Sequence, residues 1–298
     1  MKINRILAGV LARIGFWIPD VPYLKLRYRL FTGHTLNFDN PIGFNEKLNW
    51  LKVFYKNPIL PSLVDKIDVK KRIASIIGNE MIIPTLGVWD NFDEIDFESL
   101  PDEFVLKTSN GAGGTGVFIC RDKSKIDKIK LKTQLEQSSR TNWLIGREWV
   151  YYNLKKRYVA EKLLKNSDGS DIVDYKIFCF NGEPQLLFVA SDRYLGKDTL
   201  KFDWYDKDLN HLPFKSYGYE NSNKCLNGLE KWEEMKSVAR KIATQLTLPQ
   251  VRVDLYLIDG KIYFGELTFF HDQGTVALVP WEWEKKIGDM IKLPNKWV

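Results

Sequence analysis

Cysteine is scarce, with three residues in 298, Cys120, Cys179 and Cys225. They are far apart, odd in number and match neither CxxC nor a histidine-linked metal spacing. A disulfide framework and a zinc finger are thereby excluded, and the usage suits a reducing cytoplasm. Long apolar runs are missing too. The run after Lys2 and Arg5 is broken by Arg13, and no small-x-small cleavage pattern follows, so a spanning segment and a signal peptide are not expected. No Lys/Arg-rich block or basic tail occurs. The net charge of +6, from 44 basic and 38 acidic residues, therefore suits an anionic substrate and gives little support to nucleic-acid binding. There is no internal repeat and no low-complexity linker. The phosphate motif G-x-x-x-x-G-K-[ST] is absent, and no helix pattern follows the glycine-rich stretch as a dinucleotide fold requires.

What is present describes a folded globular chain, 44% apolar and 28% charged, long enough for one large domain or two to three ordinary ones. Ten tryptophans raise the aromatic share, which serves core packing as readily as carbohydrate or flat-ligand contact. Ile6, Leu7, Val10, Leu11 and Ile14 fall at helical spacing and predict an amphipathic helix. Its apolar face is expected to pack on its own domain, with a membrane surface or a partner as alternatives. Residues 1–80 read as mostly helical, including Phe44–Tyr55 and Asp65–Ile77, with Gly78 as a stop. The acidic stretch 90–104 reads as a loop and helix, and 123–137 as a charged helix. Strands are expected at 159–164, 172–180 and 185–190, the last two joined by Asn181-Gly182. Lys231–Leu246 reads as a helix, and 252–258 with 261–270 as a hairpin turning at Asp259-Gly260.

Two stretches carry chemistry. In Phe104–Cys120, FVLKTSNGAGGTGVFIC, two strand-like runs flank a loop containing Gly111, Gly113, Gly114 and Gly116. Such a loop permits the close backbone approach that a cradle of N–H groups for phosphate requires, and Lys107 would add a compact cation. A flexible hairpin with a solvated lysine fits the same residues. In the last hairpin, period-two spacing puts Arg252 and Asp254 on one face of a strand, and Glu266 and Thr268 on one face of the next. Two carboxylates, an arginine and a hydroxyl make a hard oxygen site suited to Mg²⁺ with phosphate. A solvated sheet face with a cross-strand salt bridge fits equally well.

The order of the pieces separates these readings. A lysine-ending strand and glycine loop precede Glu161-Lys162-Leu163, then Asp174-x-Lys176, Arg252-x-Asp254 and Glu266-x-Thr268. Over about residues 60–275 this series resembles the ATP-grasp superfamily of ATP-dependent carboxylate–amine ligases. Within it, the chain is most similar to the TupA-like group, named for teichuronopeptide biosynthesis. The resemblance rests on FNEKLNWLK at 44–52, VDK at 64–66, LKTSNGAGG at 106–114, DYKIFCFNGEP at 174–184 and GELTFF at 265–270.

That resemblance implies an α+β fold in which two α+β lobes hold ATP between antiparallel sheets, behind a helical N-terminal extension. The expected divisions are 1–62 (helical), 63–158 (small lobe with the glycine lid) and 159–298 (large lobe with the metal-binding hairpin). It implies that Lys66 and Lys107 reach the ATP phosphates, with Gly111, Gly113 and Gly114 in a closing lid. It places Glu161, Lys162 and Leu163 at the adenine edge and Asp174 on the ribose. Lys176 and Arg193 resemble basic residues near the transferred phosphate, and Arg252 the arginine that stabilises the transition state. Asp254 and Glu266 resemble Mg²⁺ ligands. Thr268 stands where many members carry asparagine, so His271 or Asp272 is an alternative ligand, though His271 also reads as an ordinary surface histidine. The implied activity is formation of an amide through an acyl phosphate, with ATP and Mg²⁺, on a carboxylate from cell-surface polysaccharide assembly such as a uronic acid. An ATP-dependent phosphotransferase acting on a sugar hydroxyl is the alternative, and a non-catalytic glycan- or membrane-associated protein is a third reading. The expected partners are small-molecule or saccharide substrates and no nucleic acid. The expected location is the cytoplasm, with the inner membrane face as a site of contact.

Overall fold

The structure, a computed structural model, describes residues 2–111, 116–138, 142–191, 200–226 and 228–296. Its first elements are helices: α1 (Lys2–Ile14), α2 (Asp20–Thr32), α3 (Phe44–Phe54), α4 (Leu60–Val64) and α5 (Asp68–Ile77). Then come β1 (Thr85–Trp89), β2 (Phe104–Thr108), β3 (Val117–Cys120), α6 (Lys128–Ser138), α7 (Asn142–Gly146) and β4 (Tyr158–Lys162). The strand-rich part follows with β5 (Asp174–Phe180), β6 (Glu183–Ser191), β7 (Lys201–Asp206) and β8 (Lys215–Ser216). It ends with α8 (Trp232–Leu246), β9 (Gln250–Ile258), β10 (Lys261–Thr268), β11 (Leu278–Val279) and α9 (Glu282–Gly288). The architecture is α+β, with antiparallel pairing of the strands in its sheets. The acidic stretch read as a loop and helix folds instead as loop with one short turn, Phe92–Glu94. Its apolar residues explain this: Phe92, Ile95, Phe97 and Leu100 are all buried, at a spacing no single helix face can satisfy.

The chain forms two compact units, one of residues 1–57, 173–256 and 267–298, the other of 58–172 and 257–266. The helices α1 to α3 therefore pack within the larger unit. A five-stranded sheet runs in the order β10-β9-β5-β6-β7, and a four-stranded sheet in the order β1-β4-β2-β3.

In the larger unit, β5 is buried on both sides. Its Cys179 meets α8, where the thiol approaches the carbonyl of Ala239. The alternate residues Phe178 and Phe180 join Phe188, Phe202 and Trp204 from β6 and β7, with Phe44 and Leu48 from α3 and Ile287 from α9. Asp174 and Lys176 continue that aromatic face by the period-two rule. In the smaller unit, Phe104 and Leu106 of β2 pack with Leu131 and Leu135 of α6 and with Tyr158, while Lys107 turns to the opposite face.

Helix α3 starts under a buried carboxylate. Glu284 of α9 accepts from the backbone N–H of Asn45 at 2.9 Å, its amide at 2.6 Å and the N–H of Leu278 at 3.1 Å. Burial pushes the Glu284 carboxyl up from 4.5 to about 7, against the lowering effect of those donors. A carboxyl whose pKa rises on folding binds extra protons in the folded state, so its contribution is present below pH 4.5 and lost as pH rises through about 7. Wild-type stability is expected to fall by about 2–3 kcal/mol from this group between pH 5 and 8. In Glu284→Gln that part of the slope should vanish. Denaturant melts at both pH values check this, and equal slopes for the two proteins would contradict it.

Candidate active site

Lys66 and Lys107, the lysines expected to reach the phosphates, are brought together within the smaller unit. Glu161 on β4 is buried, and its two oxygens each meet a lysine: Lys107 of β2 at 2.6 Å and Lys70 of α5 at 2.7 Å. The register places Val105 opposite Glu161, which puts Lys107, two residues on, diagonally beside it on the same face. Burial alone would raise the Glu161 carboxyl, but Lys107 and Lys70 hold it below the usual range. Lys70 is further fixed by the Ile83 carbonyl and the Thr85 hydroxyl. Glu161 thus serves as an electrostatic anchor for Lys107, a role its sequence position had not suggested.

Lys66, at the turn between α4 and α5, donates its ammonium to the carbonyl of Gly111, and its backbone N–H to Ser109 at 3.0 Å. Burial lowers its pKa, with Glu266 pulling upward and Lys107 reinforcing the fall. The two lysines read from the sequence therefore sense each other, although they come from different elements. Asp65 beside Lys66 is held by Arg157 at 2.9 Å and caps the N–H groups of Ile67 and Asp68, fixing the turn. Gly111 is buried at the entrance to the glycine loop, while Gly113 and Gly114 lie outside the described residues, as does Arg193.

At the expected adenine edge, the N–H of Lys162 is already bonded to the Pro84 carbonyl at 3.0 Å. A backbone donor to adenine on this segment would then come from Leu163 or beyond. A cavity of about 660 Å³ opens beside this segment, with Leu86, Lys162, Leu163, Leu164, Ile258 and Tyr263 in its wall.

A second cluster lies in the larger unit, on one face of β5 and β9. Lys176 is paired directly with Asp254 in the register, their side chains 2.8 Å apart, and Lys176 also bonds Asp174. Arg252 grips the same Asp254 in a fork, Nε to Oδ1 at 2.7 Å and Nη2 to Oδ2 at 2.6 Å. Two cations and two carboxylates balance here. Burial would raise the Asp254 carboxyl, yet Arg252 and Lys176 hold it low. The Asp174 carboxyl is raised, chiefly by burial and with Asp254 adding to it, against the pull of Lys176.

His271 corrects the expectation of a surface histidine. It is buried, with Phe178, Phe188 and Trp204 packed around it at ring-centroid distances of 5.1, 5.3 and 5.6 Å. Nη1 of Arg252 lies 3.0 Å from its Nδ1. A guanidinium only donates, so Nδ1 is the acceptor and the ring proton sits on Nε2, 3.3 Å from Asp272. Burial pushes the imidazole down to about 4, so it is neutral near pH 7. The aromatic enclosure gives the imidazole a new role, a fixed acceptor for Arg252.

The turn after His271 is held in an unusual conformation. Asp272, Gln273 and Gly274 all have positive φ, at 46°, 57° and 62°. Two of them are not glycine, so the surroundings must impose the geometry. Those surroundings come from α2 and α3. Arg27 donates to the Gln273 side chain at 2.5 Å, Lys52 to the Gln273 carbonyl at 2.8 Å and Asn49 to the Gly274 carbonyl at 2.7 Å. Asn45, Asn49 and Lys52 recur at helical spacing among buried α3 residues, a polar stripe inside FNEKLNWLK that marks this clamp. At Gly274 an added Cβ would come within 2.8 Å of the Asn49 amide nitrogen.

The residues expected to meet Mg²⁺ are Asp254, Glu266 and Thr268. Among the described residues no group of three or more His, Cys, Asp or Glu side chains is arranged to hold an ion. Both oxygens of Asp254 are committed to cations, and Thr268 offers only a half-buried hydroxyl at the end of β10. Of the three residues expected to hold Mg²⁺, Asp254 and Thr268 belong to the larger unit and Glu266 to the smaller.

The family profile described as TupA-like ATPgrasp matches residues 46–292. The chain belongs to the TupA-like ATP-grasp family. Its ATP-grasp α+β fold has low-identity counterparts among solved structures. D-alanine–D-alanine ligase from Helicobacter pylori is 13% identical, with a TM-score of 0.45 over 84% of this chain and 69% of that one. The Bacillus anthracis D-alanine–D-alanine ligase complexed with ATP is 16% identical, with a TM-score of 0.41 over 70% of this chain and 53% of that one. N5-carboxyaminoimidazole synthetase from Staphylococcus aureus is 14% identical, with a TM-score of 0.41 over 78% and 53%. The TupA-like chain thus spans only about half the length of two of these proteins. No curated protein matches its sequence.

Proposed function

We propose that this TupA-like protein is an ATP-dependent carboxylate–amine ligase that works through an acyl phosphate. The observation that carries the reading is the pair Lys66 and Lys107 at the mouth of the glycine loop, Lys66 on the Gly111 carbonyl and Lys107 anchored by buried Glu161. An anchored ammonium beside a loop of backbone donors is what a polyphosphate requires. Family membership supplies the nucleotide, ATP, and Mg²⁺ bound to it would neutralise part of the phosphate charge.

In this reading a substrate carboxylate oxygen attacks the γ-phosphorus, the bond to the bridging oxygen breaks, and ADP leaves. The amine then attacks the acyl carbon, loses a proton, and expels inorganic phosphate as the amide forms. Arg252 and Lys176 are assigned to the charge that accumulates on the transferred phosphoryl group, Asp174 to the ribose, and Lys66 and Lys107 to the phosphates of ATP. Arg193, Gly113 and Gly114 keep their expected roles within the proposal. The substrate class proposed is a uronic acid, or a related carboxylate of surface polysaccharide assembly, joined to an amino acid or amino sugar.

Product analysis tests the reading. Incubation with ATP, candidate uronates and amines is expected to give ADP and phosphate in step with amide. Release of AMP and pyrophosphate would overturn it.

A further inference from the structure

Helices on a protein surface ordinarily turn a polar face outward. Helix α1 does not. Its packed side is marked by buried Leu11 and by Gly15 just beyond the helix, where an added Cβ would come within 2.3 Å of the Tyr23 ring of α2. Leu7, Val10 and Arg13 are exposed at steps of three along α1, and Phe16 and Trp17 are exposed in the short turn that follows it. Leu7 and Val10 are about half exposed, whereas Phe16 is 65% and Trp17 82% exposed. The two rings lie together, centroids 4.8 Å apart.

Charge indicates what covers this stripe. Residues 1–32 hold six basic side chains against one acidic, in a chain whose whole surplus is +6. Arg13 on the stripe and Lys25 and Arg29 on α2 are exposed. A second copy of the chain would bring like charge against like charge. An anionic lipid surface answers both features, since tryptophan and phenylalanine settle at the headgroup boundary and arginine and lysine pair with acidic lipids. No described helix is long and apolar enough to cross a membrane, so α1 would lie in the plane of the interface.

We propose that the α1 stripe, ending in Phe16 and Trp17, docks this protein peripherally on an anionic bilayer surface. This proposal is independent of the nucleotide chemistry. The full chain should co-sediment with phosphatidylcholine vesicles containing roughly 30% phosphatidylglycerol, and about tenfold less with phosphatidylcholine alone or in high salt. Phe16→Ser with Trp17→Ser should lower that binding by about tenfold or more, with unchanged ATP turnover and melting temperature. Arg13→Glu with Lys25→Glu should weaken it comparably while the aromatics remain. Equal binding to neutral vesicles, or undiminished binding by the aromatic variant, would overturn the proposal. So would a wild-type dimer that ignores vesicles and dissociates on removal of the two rings, since a second copy would then be the occupant.

Discussion

Turnover of Arg252→Ala is expected to fall by about 10³-fold or more, the range for removing an arginine that meets phosphoryl-transfer charge. The geometry adds a second consequence. Arg252 and Lys176 are the two cations on buried Asp254, so the alanine variant leaves that carboxylate with Lys176 alone. About 3 kcal/mol of stability should go with it, because half of a buried pair has been removed. Arg252→Lys keeps the charge and loses the fork, so it should retain more stability than activity. The His271 contact refines this. His271→Leu removes the acceptor at Nη1 and should lower kcat about tenfold with KM for ATP little changed. His271→Asn, with a carbonyl near the Nδ1 position, should recover part of the loss. A leucine variant with wild-type kcat would remove His271 from the positioning of Arg252.

On the proposed role of Lys107 at the ATP phosphates, Lys107→Ala should likewise abolish measurable turnover, a loss of about 10³-fold. A solvated lysine could be truncated without loss of stability. Glu161 changes that expectation, since it is buried and, among the described residues, Lys70 is the ion-pair partner that remains. The unit containing residues 58–172 should lose about 1–3 kcal/mol. Pairing Lys107→Ala with Glu161→Gln separates the two effects. The double variant should regain stability without regaining turnover. Turnover near wild type in Lys107→Ala would instead remove the lysine from the nucleotide site.

Much of this site was legible because strand chemistry is local. The Arg252-x-Asp254 spacing alone placed both groups on one face, and the structure shows them in a bidentate ion pair. The alternation around Asp174 and Lys176 gave β5, and the register then set Lys176 against Asp254. What escaped was imposed from afar. Nothing near His271 signals burial, because its enclosing rings come from β5, β6 and β7. The left-handed turn at Asp272 and Gln273 opposes local propensity and exists because Arg27, Asn49 and Lys52 clamp it from more than 200 residues away. Strand β7 also hides itself, since its Asp203 is buried but bonded to His211 and Ser222 and so looks like a surface charge in sequence. The Glu161 side chain is also the counter-ion of Lys107, a pairing that needs the β2–β4 register to be seen.

The most direct measurement is hydroxylamine trapping during ATP turnover with a uronate acceptor and no amine. An acyl phosphate intermediate predicts a hydroxamate formed in proportion to ADP, absent when ATP is withheld and absent in Arg252→Ala. ADP formation with a stable phosphorylated sugar and no hydroxamate would contradict the ligase account and assign the same residues to a phosphotransferase.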